Sequence, residues 1–183
     1  MKNEQKVVGF AQLGDPVLRL QSVPVDEFNS TATLQVIKAM MTALSNSNGV
    51  GLAAPQIFES IRIIIIASRP SKRYPLAPEM EPVLMLNPSF EVVSQTTKKE
   101  WEGCLSIPGI RALVPRYEKI KINYFDQQGI LHGLVAKDFV ARIFQHEYDH
   151  LNGLVYLDRV ENNKDIISEV EFQKMMDLEC SRQ

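Results

Sequence analysis

The stretch Gln145-His146-Glu147-Tyr148-Asp149-His150 carries the pattern H-E-x-x-H. In a helix, residues four apart lie on one face, so the imidazoles of His146 and His150 can bind the same metal ion. Glu147 follows the first histidine, where its carboxylate can reach a water at the metal rather than the metal itself. Two of the three histidines of the chain lie in this stretch, which favours a metal site over an ordinary polar helix face.

The residues around this stretch have the pattern of an amphipathic helix. Apolar side chains recur at positions 139, 140, 143 and 144, which is the spacing of one helical face. Asn152-Gly153 then supplies residues that commonly end a helix. We therefore predict a central helix that carries both histidines.

The composition is that of an ordinary globular protein. Of the 183 residues, 45% are hydrophobic and 23% are charged, which predicts a single domain over residues 1–183. The net charge of -2 argues against direct binding to nucleic acid. The longest aliphatic run, Ile63 to Ile66, is too short to cross a membrane, and no signal peptide is predicted. The two cysteines, Cys104 and Cys180, make no disulfide framework, so we expect a reducing, cytoplasmic location.

Periodicity and turn residues predict an α+β fold, with mostly antiparallel strands packed around the central metal-binding helix and a C-terminal helix at the end. Further helices are predicted over residues 33–45 and 165–178, and strands over 61–67, 83–93, 110–114, 117–125, 130–135 and 154–157. Asn87-Pro88 is expected to interrupt the strand at 83–93. Leu34, Ile37, Met40, Met41 and Leu44 fall on one face of the first helix. Residues 69–82 hold four prolines and are expected to form a surface excursion.

The chemistry of the site depends on a third protein ligand, because catalytic zinc-type sites use three and leave one position open. The longer motif H-E-x-x-H-x-x-G-x-x-H is excluded, since Tyr156 stands at its last position. The remaining candidates are Cys104, His132, Glu169 and Glu171. Cys104 has the better surroundings, with a glycine before it and a turn after it, whereas Cys180 is expected to be a bystander. A thiolate with two imidazoles favours Fe(II), Zn, Ni or Co over Mg or Ca.

Three segments together resemble the signature motifs of the peptide deformylases, in the same order along the chain. The segments are Gly49-Val50-Gly51-Leu52-Ala53-Ala54-Pro55-Gln56, Glu102-Gly103-Cys104-Leu105-Ser106 and the H-E-x-x-H stretch. The likeness runs from Gly14 to about Arg159, without a departure at any motif position. It implies a hydrolase that removes the formyl group from N-terminal formylmethionine, so that N-formylmethionyl peptides are its partners and formate is released.

The resemblance also implies a ligand set and a mechanism. Cys104, His146 and His150 would bind one divalent metal ion, with Fe(II) the usual metal and zinc a common replacement. Glu147 would be the general acid/base for a water activated at the metal. A pair between Glu102 and Arg116 would brace the loop that carries the cysteine.

Other motif residues would bind the substrate. By the resemblance, the Gln56 side-chain amide and the Leu105 backbone N–H would hold the formyl oxygen as it becomes negative. Gly49 and Gly51 would leave room for an extended peptide to pair with the loop backbone. Candidates for the pocket of the methionine side chain are Val50, Ile143 and Leu105.

Two alternatives remain open from the residues alone. A metallopeptidase would use Glu169 or Glu171 as the third ligand, and a non-catalytic protein would close a structural Cys/His₂ site with a fourth ligand. Some peptide deformylases dock on the ribosome through a basic terminal helix. Here residues 164–179 contain five acidic residues and two lysines, a departure that argues against more than a transient ribosome contact.

Overall fold

The computed structural model describes residues 9–70, 74 and 76–180 of the chain. Its α+β architecture, an antiparallel sheet with helices packed against it, confirms the predicted fold class. The helices are α1 (Thr31–Ser45), α2 (Asp138–Leu151) and α3 (Glu169–Cys180). The strands are β1 (Gly51–Ala53), β2 (Ile63–Ile66), β3 (Val83–Cys104), β4 (Ile107–Phe125), β5 (Leu131–Lys137) and β6 (Ile166–Ser168).

The strands pair almost in the order in which the chain presents them. β1 to β5 lie side by side, and β6 pairs with β4. Each of these pairings is antiparallel. Only Leu105-Ser106 separates β3 from β4, and Cys104 pairs with Ile107 across this turn. Cys104 therefore lies at the tip of a long hairpin.

The aliphatic run of β2 is buried because helices cover both faces of the sheet. Ile63 and Ile65 belong to a core that includes Met40 of α1. Ile64 and Ile66 belong to a second core, which includes Phe144 of α2. A strand buried on both faces has no polar alternation, which explains the four consecutive isoleucines. The predicted central helix α2 is confirmed, and ten of its fourteen residues are buried.

The two long strands are continuous where the sequence predicted breaks. At Asn87 the backbone has a φ of 48° and the register shifts, but the strand resumes beyond Pro88. The Asn87 side chain bonds Val25, with its oxygen accepting from the Val25 N–H at 2.8 Å and its nitrogen donating to the Val25 carbonyl at 2.8 Å. The turn signal therefore marks a bulge. The segments at 110–114 and 117–125 are likewise one strand, β4, which continues through Pro115.

Two smaller predictions were wrong. Residues 154–157 are not a strand, because Tyr156–Arg159 form a 3₁₀ turn in which the Asp158 carboxylate accepts from the Val155 N–H at 2.8 Å. The terminal helix begins at Glu169 and not at Asp165, since Ile166–Ser168 pair with β4. Leu34 and Met41 of α1 are each 43% exposed, because they lie at the margin of the buried stripe. Among the described residues no helix has the length and apolarity needed to span a membrane.

Candidate metal centre

Helix α2 and the tip of the β3–β4 hairpin bring three potential metal ligands together. The ligand atoms of Cys104, His146 and His150 all lie within 4.8 Å of one another. The Cys104 sulfur is 3.3 Å from Nε2 of His150. His146 and His150 lie one helical turn apart, with ring centroids separated by 5.2 Å. The structure therefore brings together the three residues that the sequence singled out.

The chemistry of this cluster fits a divalent metal ion. Burial would raise the pKa of the Cys104 thiol, but the imidazoles of His150 and His146 outweigh it and hold that pKa well below its usual range. The sulfur is thus favoured as a thiolate, the form that binds metals. The ring nitrogens of His146 and His150 complete a mixed sulfur–nitrogen donor set, which suits Fe(II), Zn, Ni or Co.

The other candidates for the third ligand lie elsewhere. The Glu169 carboxylate accepts from the Arg111 guanidinium, and Glu171 pairs with Lys174 on α3. His132 is an exposed residue of β5 that bonds Asp126. Within the described residues, the cluster has no fourth Cys, His, Asp or Glu ligand. The geometry thus excludes the peptidase ligand set and leaves the three-ligand site open, as catalytic sites are.

Glu147 lies beside the cluster in unusual surroundings. Its side chain is buried, and Oε2 has no hydrogen-bond partner among the residues that the structure describes. Burial raises the pKa of Glu147 to about 7. A carboxyl group with such a pKa can both accept and release a proton near neutral pH.

Gly51 makes room for the Glu147 carboxylate. A Cβ atom at position 51 would lie 2.5 Å from Oε1 of Glu147. A Cβ atom at Gly49 would lie 3.0 Å from the Leu105 side chain. From the sequence, both glycines were expected to leave room for a bound peptide. The structure adds a different reason, namely that residues of the chain itself occupy the space.

The Gln56 side chain is fixed with its nitrogen toward the cluster. It is buried, and its oxygen accepts from the Ala53 backbone N–H at 2.9 Å. Its nitrogen donates to the Cys104 sulfur and to the Ser106 hydroxyl, both at 3.3 Å. An uncharged amide held in this way presents N–H groups at the centre without competing as a charged ligand.

An open cleft runs beside the cluster, between the loop that precedes β1, the end of β3 and helix α2. All the predicted substrate residues line it, namely Gly49, Val50, Gly51, Leu105 and Ile143. Five further lining residues lie outside the motifs and were not predicted: Asn48, Tyr74, Trp101, Phe139 and Arg142. A signal existed for two of these, because Phe139 and Arg142 lie seven and four residues before His146, on the same helical face.

A buried ion network stands behind the histidines. Glu102 accepts from Arg116 at 3.0 and 3.1 Å, which agrees with the predicted pair, and from Nδ1 of His146 at 2.8 Å. Arg116 also donates to Asp149 at 2.6 Å, and Asp149 accepts from Arg159. Burial would raise the pKa of Glu102, but Arg116 and His146 outweigh it and keep that pKa well below its usual range. The network beyond the first pair was not predicted.

Comparisons with known proteins agree with this geometry. The sequence profile of the family described as Polypeptide deformylase matches residues 7–165. Peptide deformylase 2 of Nostoc sp. is 47% identical over 171 residues, which cover 93% of this chain and 96% of that protein. Peptide deformylase 2 of Shewanella oneidensis is 39% identical over 154 residues, which cover 84% of each chain.

Solved structures give the same match in three dimensions. The class I type b peptide deformylase from Acinetobacter baumannii, bound to Met-Ala-Ser, superposes with a TM-score of 0.81 at 44% identity, covering 85% of this chain and 99% of that one. The peptide deformylase from Thermotoga maritima superposes with a TM-score of 0.75 at 32% identity, covering 86% and 99%.

Proposed function

The chain belongs to the polypeptide deformylase family, and from that premise we propose that it removes the formyl group from newly made polypeptides that begin with formylmethionine. The products are formate and a peptide with a free N-terminus. The observation that supports this most is the convergence of Cys104, His146 and His150 beside a cleft that Glu147 lines.

One divalent metal ion would be held by Cys104, His146 and His150. We infer Fe(II) as the native metal, as the motif resemblance implies, while the donor set also suits Zn, Ni or Co. When bound, the metal supplies the Lewis acidity that polarises the formyl carbonyl and makes water a better nucleophile.

Glu147 is the proton carrier in this proposal. It accepts a proton from the attacking water and returns one to the amine that leaves. The assignment is supported by its position in the cleft, next to His146 in the chain, with Oε2 free of hydrogen-bond partners among the described residues.

Gln56 and Leu105 would stabilise the formyl oxygen as it becomes negative. The Gln56 nitrogen already faces the cluster, and Leu105 follows Cys104 directly at the hairpin tip. Donors fixed before the reaction cost no reorganisation during it, which is why such groups contribute strongly to catalysis.

The peptide would bind in an extended form along the loop that leads into β1. Gly49, Val50 and Gly51 line the cleft, and in the described part of the chain β1 pairs with a strand, β2, on one side only. A strand with a free edge can add an extended peptide through backbone hydrogen bonds. The methionine side chain would then contact the apolar groups of Val50, Ile143 and Leu105.

We place the reaction in the cytoplasm, where ribosomes supply formylated chains. Helix α3 is a poor element for docking on ribosomal RNA, because its acidic residues outnumber its basic ones. Any contact with the ribosome in this proposal is transient.

The test is a formate-release assay on a formylmethionyl tripeptide, under anaerobic conditions, with the iron and zinc forms compared. We expect formate from both forms, with no cleavage of internal peptide bonds. A metal-loaded protein that releases no formate would contradict the proposal. A Cys104→Ala protein that still binds metal tightly would contradict the ligand set.

A further inference from the structure

Arg142 occupies a junction between helix α2 and the hairpin that carries Cys104. It lies on α2 one turn before His146, and it is only 5% exposed. Its guanidinium donates to four acceptors on β3 and β4, namely the Lys98 carbonyl at 2.6 Å, Glu100 at 3.0 Å, Glu102 at 2.8 Å and the Val114 carbonyl at 2.8 Å. A planar guanidinium with this many partners holds one orientation.

The bond to Glu102 links Arg142 to the metal cluster. Oε1 of Glu102 accepts from Arg116 and Arg142, whereas Oε2 accepts from Arg116 and from Nδ1 of His146. The carboxylate therefore receives four donors, two on each oxygen. Arg142 contacts the oxygen that does not contact the imidazole, so it acts on His146 only through Glu102.

Arg116 alone does not fix this carboxylate as tightly. Its guanidinium is shared with Asp149, to which it donates at 2.6 Å. With Arg142 removed, Oε1 of Glu102 would keep a single donor, from Arg116, and the carboxylate would be free to tilt. A tilt would change the direction of the hydrogen bond between Glu102 and Nδ1 of His146. The imidazole would then turn, and its Nε2 atom would point in a different direction.

We propose that Arg142 is a positioning residue of the metal centre, which holds Glu102 so that His146 presents its Nε2 atom toward Cys104 and His150. The inference rests on the proposed metal site. Hydrogen-bond partners of metal-binding imidazoles set ring orientation, and their loss commonly weakens metal binding about 10- to 100-fold. Arg142 contacts Glu102 and not the imidazole itself, so the expected effect lies at the lower end of that range.

Glu100 provides a matched control. It bonds the same guanidinium at 3.0 Å, but its own side chain is 37% exposed and also pairs with Lys98. Glu100→Gln therefore weakens the outer attachment of Arg142 while the bond from Arg142 to Glu102 remains. A role that is only structural would make the two substitutions similar.

The experiment compares wild type, Arg142→Gln, Arg142→Lys and Glu100→Gln after loading with Co(II). Two quantities are measured: the visible absorption bands of the bound cobalt, which report the geometry of its ligands, and the rate of cobalt loss to a chelator. We expect Arg142→Gln to shift the bands and to lose cobalt about tenfold faster. Arg142→Lys keeps the positive charge and should recover part of the difference, and Glu100→Gln should stay within about twofold of wild type.

Wild-type bands and a wild-type rate of cobalt loss in Arg142→Gln would overturn the proposal, because Arg142 would then only pack the hairpin against α2. If Arg142→Gln fails to fold, Arg142→Lys decides. It should lose cobalt faster than Glu100→Gln, and equal rates would overturn the proposal. Neither readout uses a formylated peptide, so the result is independent of whether the wild type releases formate.

Discussion

Glu102 and Glu147 are two buried carboxylates that flank the same histidine, and their surroundings are opposite. Glu102 receives four donors, from two arginines and from His146, and its pKa is held well below its usual range. Glu147 has no partner at Oε2 among the described residues, and burial raises its pKa to about 7. Glu102 and the arginines that bond it form a rear region, which holds a fixed charge. Glu147, beside the cleft, forms a front region, whose charge can change.

This difference shows that burial alone does not decide the function of a carboxyl group. Burial raises the pKa of both groups, but at Glu102 it is outweighed, because only that carboxylate accepts hydrogen bonds from two arginines and a histidine. A paired carboxylate orients its neighbours, whereas an unpaired one beside a cleft can exchange a proton with a ligand.

The largest expected effect is on turnover. Glu147→Gln keeps the shape but cannot carry a proton, so kcat should fall about 100- to 10,000-fold, the usual contribution of general acid–base catalysis. Metal content, measured by elemental analysis, should remain that of wild type. A parallel loss of metal would show instead that Glu147 is a ligand.

Glu102→Gln should mainly lower the free energy of unfolding. It leaves Arg116 and Arg142 buried without their full counter-charge, which costs about 3–5 kcal/mol in comparable pairs. Denaturant unfolding of the metal-free protein measures this loss. Glu102→Asp keeps the charge and is the control, and equal losses in the two variants would mean that shape, and not charge, matters there.

Gly51→Ala should disturb the front region alone. The new Cβ atom would lie 2.5 Å from Oε1 of Glu147 and would displace the carboxylate. Misplacement of a catalytic group by about 1 Å can cost about 100-fold in rate. We expect kcat to fall by about that factor with metal content unchanged. Unchanged kinetics would mean that Glu147 works from another position.

The smallest expected effect is at the outer end of the rear network. Arg159 pairs with Asp149, but its side chain is 47% exposed. Asp149 keeps Arg116 as a partner when Arg159 is removed. Arg159→Gln should therefore lower the free energy of unfolding by no more than about 1 kcal/mol and leave kcat unchanged. A loss as large as that of Glu102→Gln would show that the network acts as one unit.

The sequence predicted what is encoded over short distances. The spacing of His146 and His150 is fixed by helical geometry alone, and the central helix followed from its apolar period. Cys104 could be selected because few other ligands were available. The position of Arg142 could be read as one turn before His146, but three of its four partners lie about forty residues earlier, on β3. No local pattern indicates such pairings.

The same limit explains the errors in the strands. Asn87-Pro88 is a genuine turn signal, yet β3 continues because the Asn87 side chain bonds Val25, 62 residues away. The strand predicted at 154–157 was wrong for a local reason, because the Asp158 carboxylate caps a 3₁₀ turn there. Tertiary contacts and side-chain caps both override propensity.

The position of Cys104 at the tip of the β3–β4 hairpin has a consequence for the order of folding. The hairpin joins residues that are close in the chain near its tip, and such contacts form early because little chain entropy is lost. His146 and His150 arrive on a helix more than forty residues later, which must pack against the sheet before the three ligands meet. The three ligands are therefore complete only once α2 has packed against the sheet, which couples metal binding to folding.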